Sequence, residues 1–318
     1  MPNAEAVFCA ADLVVKVKEP QEPEIALLEP RHALLSHLHL AHDAALTRRL
    51  ADSEATCIAY ETVEDGHGRL PLLAPMSEVA GKIAAQAGAF MPKKQSGGRG
   101  VLLGGVPGVR PGRVVIIGGG VVGLNAALIA VGLGADVLAL GHSLERLREL
   151  DLVFGNRCST VYASRLSVEL ALAEADLVVG AVLLHGARAP RVVSRAKLRL
   201  MKQSAVLVDV SIDEGGCFAT SGPTTHSMPT YEVDGVVHYC VTNMPGVVPA
   251  TSAHALTNAT LLYMLALADH GLERAVASDK GLLRGVNVAA GHVTYEPVAR
   301  EHGLPFVPAR DALATAAR

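Results

Sequence analysis

Three glycines with the spacing of a diphosphate-binding turn are the clearest chemical signal in the sequence. Gly118, Gly120 and Gly123 form G-x-G-x-x-G between the strand-like run Arg113–Ile117 and the helical stretch Leu124–Gly132. In this pattern the first glycine permits a tight turn, the second lets the backbone approach a pyrophosphate, and the third lets helix and strand pack closely. The amides at the helix start then face the phosphates. The spacing predicts a dinucleotide site; a glycine turn with only a packing role is the alternative.

The residues after the next predicted strand bear on which nucleotide binds. Ala135–Leu140 is followed by Gly141, His142 and Ser143, where dinucleotide-binding folds place an acidic residue that holds the adenosine ribose. Without that carboxylate nothing repels a 2′-phosphate, and His142, Ser143 and Arg146 could bind one. A weaker ribose contact to NAD(H) is the other interpretation. We therefore expect NAD as the cofactor and leave NADP open.

The order of apolar and helical stretches predicts the architecture around this turn. Further strands are expected at Leu177–Val182, at Ala205–Val210 and around Val236–Cys240. A repeated strand–helix–strand order indicates a doubly wound parallel sheet of the Rossmann type. Small aliphatic residues dominate the chain, which is typical of strands buried on both faces.

The two ends of the chain predict a second, smaller α/β domain. Strands are expected at Leu13–Val17, Ala33–Leu40 and Thr56–Tyr60, with a helix near Ala44–Leu50. The long helix Pro75–Phe90 would connect the domains, and the glycine-rich stretch Gly97–Val109 is a candidate boundary. We expect a substrate domain built from residues 1–71 and 251–318 and a dinucleotide-binding domain at residues 72–250.

Composition and charge narrow the class of protein. The chain has 318 residues, a net charge of −3 and no block of basic residues, which argues against nucleic-acid or membrane-surface binding. The five cysteines are far apart and form no C-x-x-C pair, which argues against a disulfide framework or a zinc ribbon. The start of the chain does not have the pattern of a signal peptide. We expect a cytoplasmic enzyme with reduced thiols and no membrane span.

Several segments, in order along the chain, resemble the alanine dehydrogenase family. They are Lys16–Pro20 (KVKEP), Leu38–Ala41 (LHLA), Ile58–Val63 (IAYETV), Leu72–Gly81 (LLAPMSEVAG), Gly97–Val109, Val115–Gly123, Ala175–Val182, Gly215–Phe218 (GGCF), Pro223–His226 (PTTH) and Asn243–Pro245. Membrane-associated transhydrogenases share the fold, but the KVKEP and LLAPMSEVAG segments are similar to alanine dehydrogenase. The resemblance implies NAD-dependent oxidative deamination of L-alanine to pyruvate and ammonia, as in L-alanine catabolism, and the reverse reaction.

The resemblance also implies the catalytic groups. Lys18 matches the family's substrate-binding lysine, His39 its catalytic histidine and Asp213 its active-site aspartate. Imidazole titrates near working pH, which suits proton transfer, and Asp213 follows a strand, where open α/β sheets bind ligands. A solvated lysine, a structural histidine and a helix-capping aspartate are the simpler interpretations. We expect the three side chains to converge on the nicotinamide.

The remaining site residues are carried over in the same way. Met76 and Asn243 would complete the substrate pocket, and Ser77 would contact the cofactor. The other expected cofactor contacts are Gly118, Gly120, Val121, Val122, Gly123, Gly141, His142, Arg146, Val182, Leu183, Ile212, Asp213, Val241 and Met244. No metal is expected, since the family uses none, although His37, His39 and His42 are closely spaced.

Two departures from the family pattern leave alternatives open. Family members carry an N-terminal R-V-A-L-T-P segment whose arginine binds the substrate carboxylate, and we find no such segment here. The substrate domain is therefore expected to be N-terminally truncated and the activity weakened. His37 stands where the family carries an aromatic residue. An imine or 2-oxo-acid reductase of altered specificity and a catalytically impaired nucleotide-binding paralogue thus remain as alternatives, and the resemblance implies a homohexamer.

Overall fold

The computed structural model describes residues 3–184 and 186–316, which form two compact units. Unit 1 contains residues 3–75, 186–187 and 253–316, and unit 2 contains residues 76–184 and 188–252. The chain passes from one unit to the other within two helices, Ala74–Phe90 and Pro249–Ser278, and also on either side of residues 186–187. The glycine-rich stretch Gly97–Val109, suggested by the sequence as a boundary, lies inside unit 2.

The helices and strands of the described residues are numbered in chain order. The α-helices are α1 Ala4–Ala10, α2 Glu22–Ile25, α3 Ala44–Asp52, α4 Ala74–Phe90, α5 Val121–Gly132, α6 Leu144–Phe154, α7 Arg165–Glu174, α8 Arg195–Leu198, α9 Pro249–Ser278, α10 Lys280–Gly285, α11 Glu296–His302 and α12 Ala309–Ala316. The strands are β1 Leu13–Val15, β2 Ala33–Ser36, β3 Thr56–Ala59, β4 Arg113–Ile117, β5 Asp136–Gly141, β6 Cys158–Tyr162, β7 Leu177–Gly180, β8 Val206–Asp209, β9 Thr230–Val233, β10 Val236–Tyr239, β11 Val286–Ala289 and β12 His292–Val293. Short 3₁₀ helices cover Leu40–His42, Tyr60–Thr62, Lys94–Ser96, Gly155–Arg157, Val210–Glu214 and Met244–Val247.

Unit 2 is built on one seven-stranded sheet in the order β6-β5-β4-β7-β8-β10-β9. All of its strands run parallel except β9, which pairs with β10 in the antiparallel sense. The order reverses between β4 and β7, as in a doubly wound sheet, and ligands bind such sheets at the reversal point. The expected fold class is confirmed.

The apolar run of β4 is continuous because this sheet is covered on both faces. Successive side chains of a strand point to opposite faces. Val114 and Ile116 contribute to one buried cluster, with side chains of α4, α5 and α6. Val115 and Ile117 contribute to a second cluster, with side chains of α7 and with Phe218. A parallel strand without alternating polar residues is expected to be buried on both faces, and β4 is.

Unit 1 has a smaller mixed sheet in the order β1-β2-β3-β11-β12. The first three strands are parallel, and β11 runs antiparallel to β3. Residues far apart in the sequence thereby share one core, which includes Leu34, Leu50, Cys57 and Val288. β11, from the last part of the chain, thus pairs with β3, from its beginning, and β12 pairs with β11.

The second strand is shorter than the sequence suggested, ending at Ser36 instead of Leu40. The backbone N–H groups of Leu38 and His39 donate to a carboxylate oxygen of Glu61, at 3.0 and 2.6 Å. His39 also has a φ of 47°, in the left-handed region. A backbone bound to a side chain in this conformation cannot continue a strand ladder.

Candidate functional site

The turn after β4 has the geometry that its glycines require. Gly118 has a φ of 117°, and a Cβ added to it would lie 2.1 Å from the carbonyl oxygen of Ala181. A Cβ on Gly123 would lie 1.9 Å from the carbonyl oxygen of Gly118. Both distances are severe clashes with backbone, so a side chain at either position would displace the turn or the start of α5.

The middle glycine faces open space, which is where a phosphate would be held. Gly120 precedes the first residue of α5, and a Cβ placed on it would meet no atom within 4 Å. Val121 and Val122 form the first turn of that helix, whose amide groups lack partners within the helix and favour an anion. The residues present therefore fit the diphosphate of a dinucleotide.

The loops that follow β7 and β8 are tied together in the same unit. The Ser211 hydroxyl donates to the carbonyl oxygen of Val182 at 2.7 Å and accepts from its N–H at 3.1 Å. Asp209 is fully buried and accepts from the Ser211 N–H at 3.0 Å and from the Ser221 hydroxyl at 2.5 Å. These contacts fix the backbone beside Val182 and Ile212, two of the expected cofactor contacts.

Asp213 and Asn243 are brought together within unit 2. The backbone N–H of Asn243 lies 3.2 and 3.1 Å from the two carboxylate oxygens of Asp213. Asp209, and not Asp213, caps the short helix that contains Asp213. The role of Asp213 near the nicotinamide remains a prediction. Among the neighbouring predicted residues Val241 and Met244 are buried, whereas Leu183 is exposed.

Lys18 and His39 are linked in unit 1 through Glu19. The Lys18 ammonium lies 3.4 Å from a carboxylate oxygen of Glu19, and the same oxygen contacts the Nδ1 of His39. The Ser36 hydroxyl donates to the Lys18 carbonyl oxygen at 2.7 Å and thereby fixes the backbone that carries the lysine. Partial burial opposes ionisation of Glu19, but the contact with His39 and the charges of His39 and Lys18 lower its pKa to about 2. Glu19 therefore acts as an anion that orients the imidazole ring.

Glu61 contacts His39 as well, by accepting from the backbone N–H of the histidine. Besides accepting from the N–H groups of Leu38 and His39, its second carboxylate oxygen lies 3.5 Å from the Nδ1 of His37. Burial would raise the pKa of Glu61, but the contact with His37 and the nearby His39 ring lower it to about 2. An ionised carboxylate at the end of β2 keeps His39 in its left-handed conformation.

His37 is a buried histidine packed between two rings. Its ring is stacked on His39, with centroids 5.7 Å apart, and makes an edge contact with Tyr60 at 4.9 Å. Burial lowers the pKa of His37, more than the neighbouring Glu61 carboxylate raises it. We infer a neutral imidazole at this position.

Two predicted site residues occupy a strained backbone conformation. Among the described residues, six other than glycine have a positive φ, and they include His39 at 47° and Asn243 at 51°. Such conformations are maintained only where surrounding contacts enforce them, and they concentrate at functional sites. Glu61 supplies that enforcement for His39, while Asp213 contacts the N–H of Asn243.

Models of one protein family match both parts of the chain. The model described as "Alanine dehydrogenase/PNT, N-terminal domain" matches residues 1–80, and the model for the C-terminal domain of the same family matches residues 84–296. The chain belongs to the alanine dehydrogenase/PNT family. This result confirms the family resemblance deduced from the sequence segments.

Individual members of the alanine dehydrogenase/PNT family are similar over almost the whole chain. Alanine dehydrogenase of Halomonas elongata is 55% identical over 94% of this chain and 81% of its own length. That of Mycobacterium tuberculosis is 50% identical over 98% and 84%. A solved L-alanine dehydrogenase is 48% identical, with a TM-score of 0.86 over 95% of this chain and 83% of its own. A transhydrogenase of Sinorhizobium meliloti, 20% identical with a TM-score of 0.71 over 92% and 82%, shares the fold.

Glu19 and Glu61 are the residues that sequence reasoning missed in this family member. Both lie in segments that carry the resemblance, KVKEP and IAYETV, and their presence there was the available signal. Their contacts with His39 cross 20 and 22 residues of chain, which no local pattern specifies. Met76 and Ser77 lie in the first turn of α4, and Met76 packs against the unit 2 core.

No helix within residues 3–184 and 186–316 is both long and apolar enough to cross a membrane. In the same ranges no three side chains of histidine, cysteine, aspartate or glutamate are grouped so that they could hold a metal ion.

Proposed function

We propose that this protein catalyses the reversible, pyridine-nucleotide-dependent deamination of L-alanine to pyruvate and ammonia. The observation that carries the proposal is the identity of about one half, over nearly the whole chain, to proteins named alanine dehydrogenase. The Lys18–Glu19–His39 arrangement in unit 1 and the glycine turn in unit 2 supply the chemistry that such a reaction needs. NAD or NADP would be the cofactor, held by Gly118–Gly123, Ser77 and the loops containing Val182 and Ile212.

Each proposed group has a separate task. Lys18 would bind the carboxylate and carbonyl oxygens of the substrate and oppose the charge that develops on them. His39, with Nδ1 held by Glu19, would take or give a proton at Nε2 when water adds to the imine carbon. A bound nicotinamide ring would accept the hydride of the alanine Cα in one direction and donate it in the other. Asp213, Asn243 and Met76 would position the reacting groups.

The test is a direct assay of the purified chain with matched variants. We expect L-alanine-dependent reduction of NAD or NADP, and pyruvate- and ammonia-dependent oxidation of the reduced nucleotide. Lys18→Met and His39→Gln should each lower kcat/KM by about 100-fold or more, because charge stabilisation and proton transfer are lost. His67→Gln changes an exposed histidine of the same unit and should leave the activity unchanged. Normal rates in both Lys18→Met and His39→Gln would contradict the proposal.

A second candidate is reduction of another imine or 2-oxo acid, and His37 favours it. The sequence resemblance places an aromatic residue at this position, and here a buried imidazole packs against His39 and Glu61. A different side chain beside the acid–base group would change which substrate side chain is accepted. A panel of 2-oxo acids and amines, compared by kcat/KM, separates the two: the main proposal requires pyruvate and ammonia to be preferred.

We propose in addition that the protein is a homohexamer acting in the cytoplasm. Both inferences come from the resemblance to alanine dehydrogenases. Light scattering coupled to gel filtration measures the mass in solution, and a monomer would contradict the first inference. Fractionation of cells that express the chain tests the second.

A further inference from the structure

The adenosine end of the nucleotide site offers donors and positive charge where a carboxylate would be expected. Gly141 is the last residue of β5. The carbonyl oxygen of Leu140, which precedes Gly141, accepts from the Gly118 N–H at 2.8 Å. A Cβ on Gly141 would lie 3.7 Å from the Gly119 nitrogen. A side chain at position 141 would therefore stand beside the phosphate turn, where an acid can bind the ribose hydroxyls of NAD(H). Glycine leaves that position without a side-chain acceptor.

A guanidinium is carried by the helix that packs against the same turn. A Cβ on Gly119 would lie 3.5 Å from the Cβ of Arg146, so the arginine side chain begins next to the turn. Its guanidinium is half-exposed and pairs with Glu149 at 2.6 Å on the same helix. An exposed pair of this kind is weak. A phosphate carries more charge and can accept two N–H groups of the guanidinium with two of its oxygens, so it would compete well for Arg146.

An imidazole and a phenol complete this edge of unit 2. His142 follows Gly141, and Tyr162, at the end of β6, pairs in register with Gly141. The two rings meet edge to face with centroids 5.6 Å apart, and both are exposed. A ring pair open to solvent gives an adenine base a surface to stack on. His142, Ser143 and Arg146 add the donors that a phosphate requires.

We propose that this edge binds the 2′-phosphate of NADP(H), with Arg146 as the principal phosphate contact, so that the protein prefers NADP(H) to NAD(H). The inference rests on the proposed function only in requiring a pyridine nucleotide. Glycine at position 141 removes both the acceptor that NAD(H) needs and the negative charge that would repel a 2′-phosphate. Glu145, Glu149 and Asp151 are the carboxylates on the same helix, and Glu149 is the one that contacts Arg146.

The test measures nucleotide binding without turnover. The chain has no tryptophan, so the fluorescence of NADPH and NADH can be followed over a low protein background, with 2′,5′-ADP and 5′-AMP titrated by calorimetry. We expect NADPH to bind about tenfold more tightly than NADH, and 2′,5′-ADP more tightly than 5′-AMP, since each charge-assisted contact to the phosphate contributes a factor of this order. Equal or tighter binding of NADH would overturn the proposal.

Matched variants assign the effect to named residues. Arg146→Gln should weaken NADPH about tenfold and leave NADH unchanged. Arg148→Gln alters an exposed arginine two positions on, on the opposite side of α6, and should change neither. Glu149→Gln should tighten NADPH by removing a competitor, and Gly141→Asp should invert the preference. If Arg146→Gln weakened both nucleotides equally, the assignment of the 2′-phosphate would be wrong.

Failure of the 2′-phosphate site can be distinguished from failure of the proposed alanine dehydrogenase activity. Tight NADPH binding without alanine turnover would leave the 2′-phosphate site intact and contradict the dehydrogenase. Alanine turnover with NAD and tighter NADH binding would retain the dehydrogenase and overturn the 2′-phosphate site.

Discussion

The proposed catalytic residue His39 is held in place by several groups around it. Its imidazole contacts Glu19, its backbone N–H donates to Glu61 at 2.6 Å, and its ring is stacked on His37. Two carboxylates with a pKa of about 2 thus flank one histidine. An orienting carboxylate fixes the ring and its tautomer, and Glu61 fixes the strained backbone. Glu19 and Glu61 are positioning residues in this account.

The first prediction concerns Glu61. Glu61→Gln keeps the shape and the acceptor oxygen but removes the charge, so two charge-assisted bonds to backbone N–H groups are weakened. We expect the free energy of unfolding to fall by about 1–3 kcal/mol. The loss should be measured by urea unfolding together with the rate of alanine oxidation, which should fall because His39 is no longer held.

The control for Glu61→Gln is Glu22→Gln in the same unit. Glu22 is 75% exposed and pairs with Arg49 on the surface, where such pairs contribute about 0–1 kcal/mol. Equal destabilisation by the two variants would show that the buried contacts of Glu61 do not have the assigned role.

At the scale of elements, glycines in the turn before α5 and in α5 itself have two different roles. Some are required by the packing of the backbone, and others leave space open. Gly118 and Gly123 are required because backbone carbonyl oxygens occupy the space of their side chains. Gly120 and Gly132 have no atom within 4 Å of an added Cβ. Only Gly120 stands at the proposed phosphate position, while Gly132 is at the far end of the helix.

The second prediction uses this pair. Gly120 has an extended backbone with φ −76° and ψ −164°, which alanine adopts readily. Gly120→Ala should therefore fold normally but weaken NADPH and NADH about tenfold or more, because its methyl group stands where the diphosphate approaches. Gly132→Ala should bind both nucleotides normally and gain about 0.5–1 kcal/mol of stability. Normal nucleotide affinity of Gly120→Ala, measured by fluorescence titration, would refute the placement of the diphosphate.

At the scale of the whole molecule, the chain combines two units with separate cores and different chemistry. Unit 2 has a doubly wound sheet buried on both faces and holds the proposed nucleotide contacts. Unit 1 has a mixed sheet with buried ionisable groups at the end of β2. We therefore expect acid to destabilise unit 1 through His37, Glu61 and Glu19.

The third prediction is the pH dependence of folding. Burial lowers the pKa of folded His37 below its usual value of 6.5, so below that pH the unfolded chain binds a proton that the folded chain excludes. Stability is complete above pH 6.5 and falls as the pH decreases, by up to about 1.4 kcal/mol per pH unit for this one group. The lowered pKa values of Glu19 and Glu61 add a second loss between their usual value of 4.5 and about 2.

The variant His37→Phe isolates the contribution of the histidine. It keeps a ring against Tyr60 but removes the titration. Urea unfolding above pH 6.5 and about one unit below it should show a smaller loss of stability for the variant than for the parent. The exposed His67→Gln should keep the full dependence, and an identical loss in parent and His37→Phe would exclude the assigned role.

The sequence by itself determined the elements whose physical causes are local. The G-x-G-x-x-G turn, the strand before it and the helix after it follow from glycine sterics and apolar periodicity, and the structure has them at Arg113–Ile117 and Val121–Gly132. The segments shared with alanine dehydrogenases are enough to indicate the family. The predicted roles of Lys18, His39 and Asp213 remain predictions.

Only the tertiary structure decided what depends on residues far apart in the chain. β2 ends at Ser36 because Glu61 takes the next backbone N–H groups, and β11 joins β3 across more than 220 residues of chain. It also showed that Asp209 caps the short helix that contains Asp213, and that Tyr162 stands beside Gly141. Such contacts depend on sheet order and side-chain direction, which apolar periodicity does not encode. Local sterics and periodicity thus determined the elements, and long-range hydrogen bonds determined where they end and which charges they bring together.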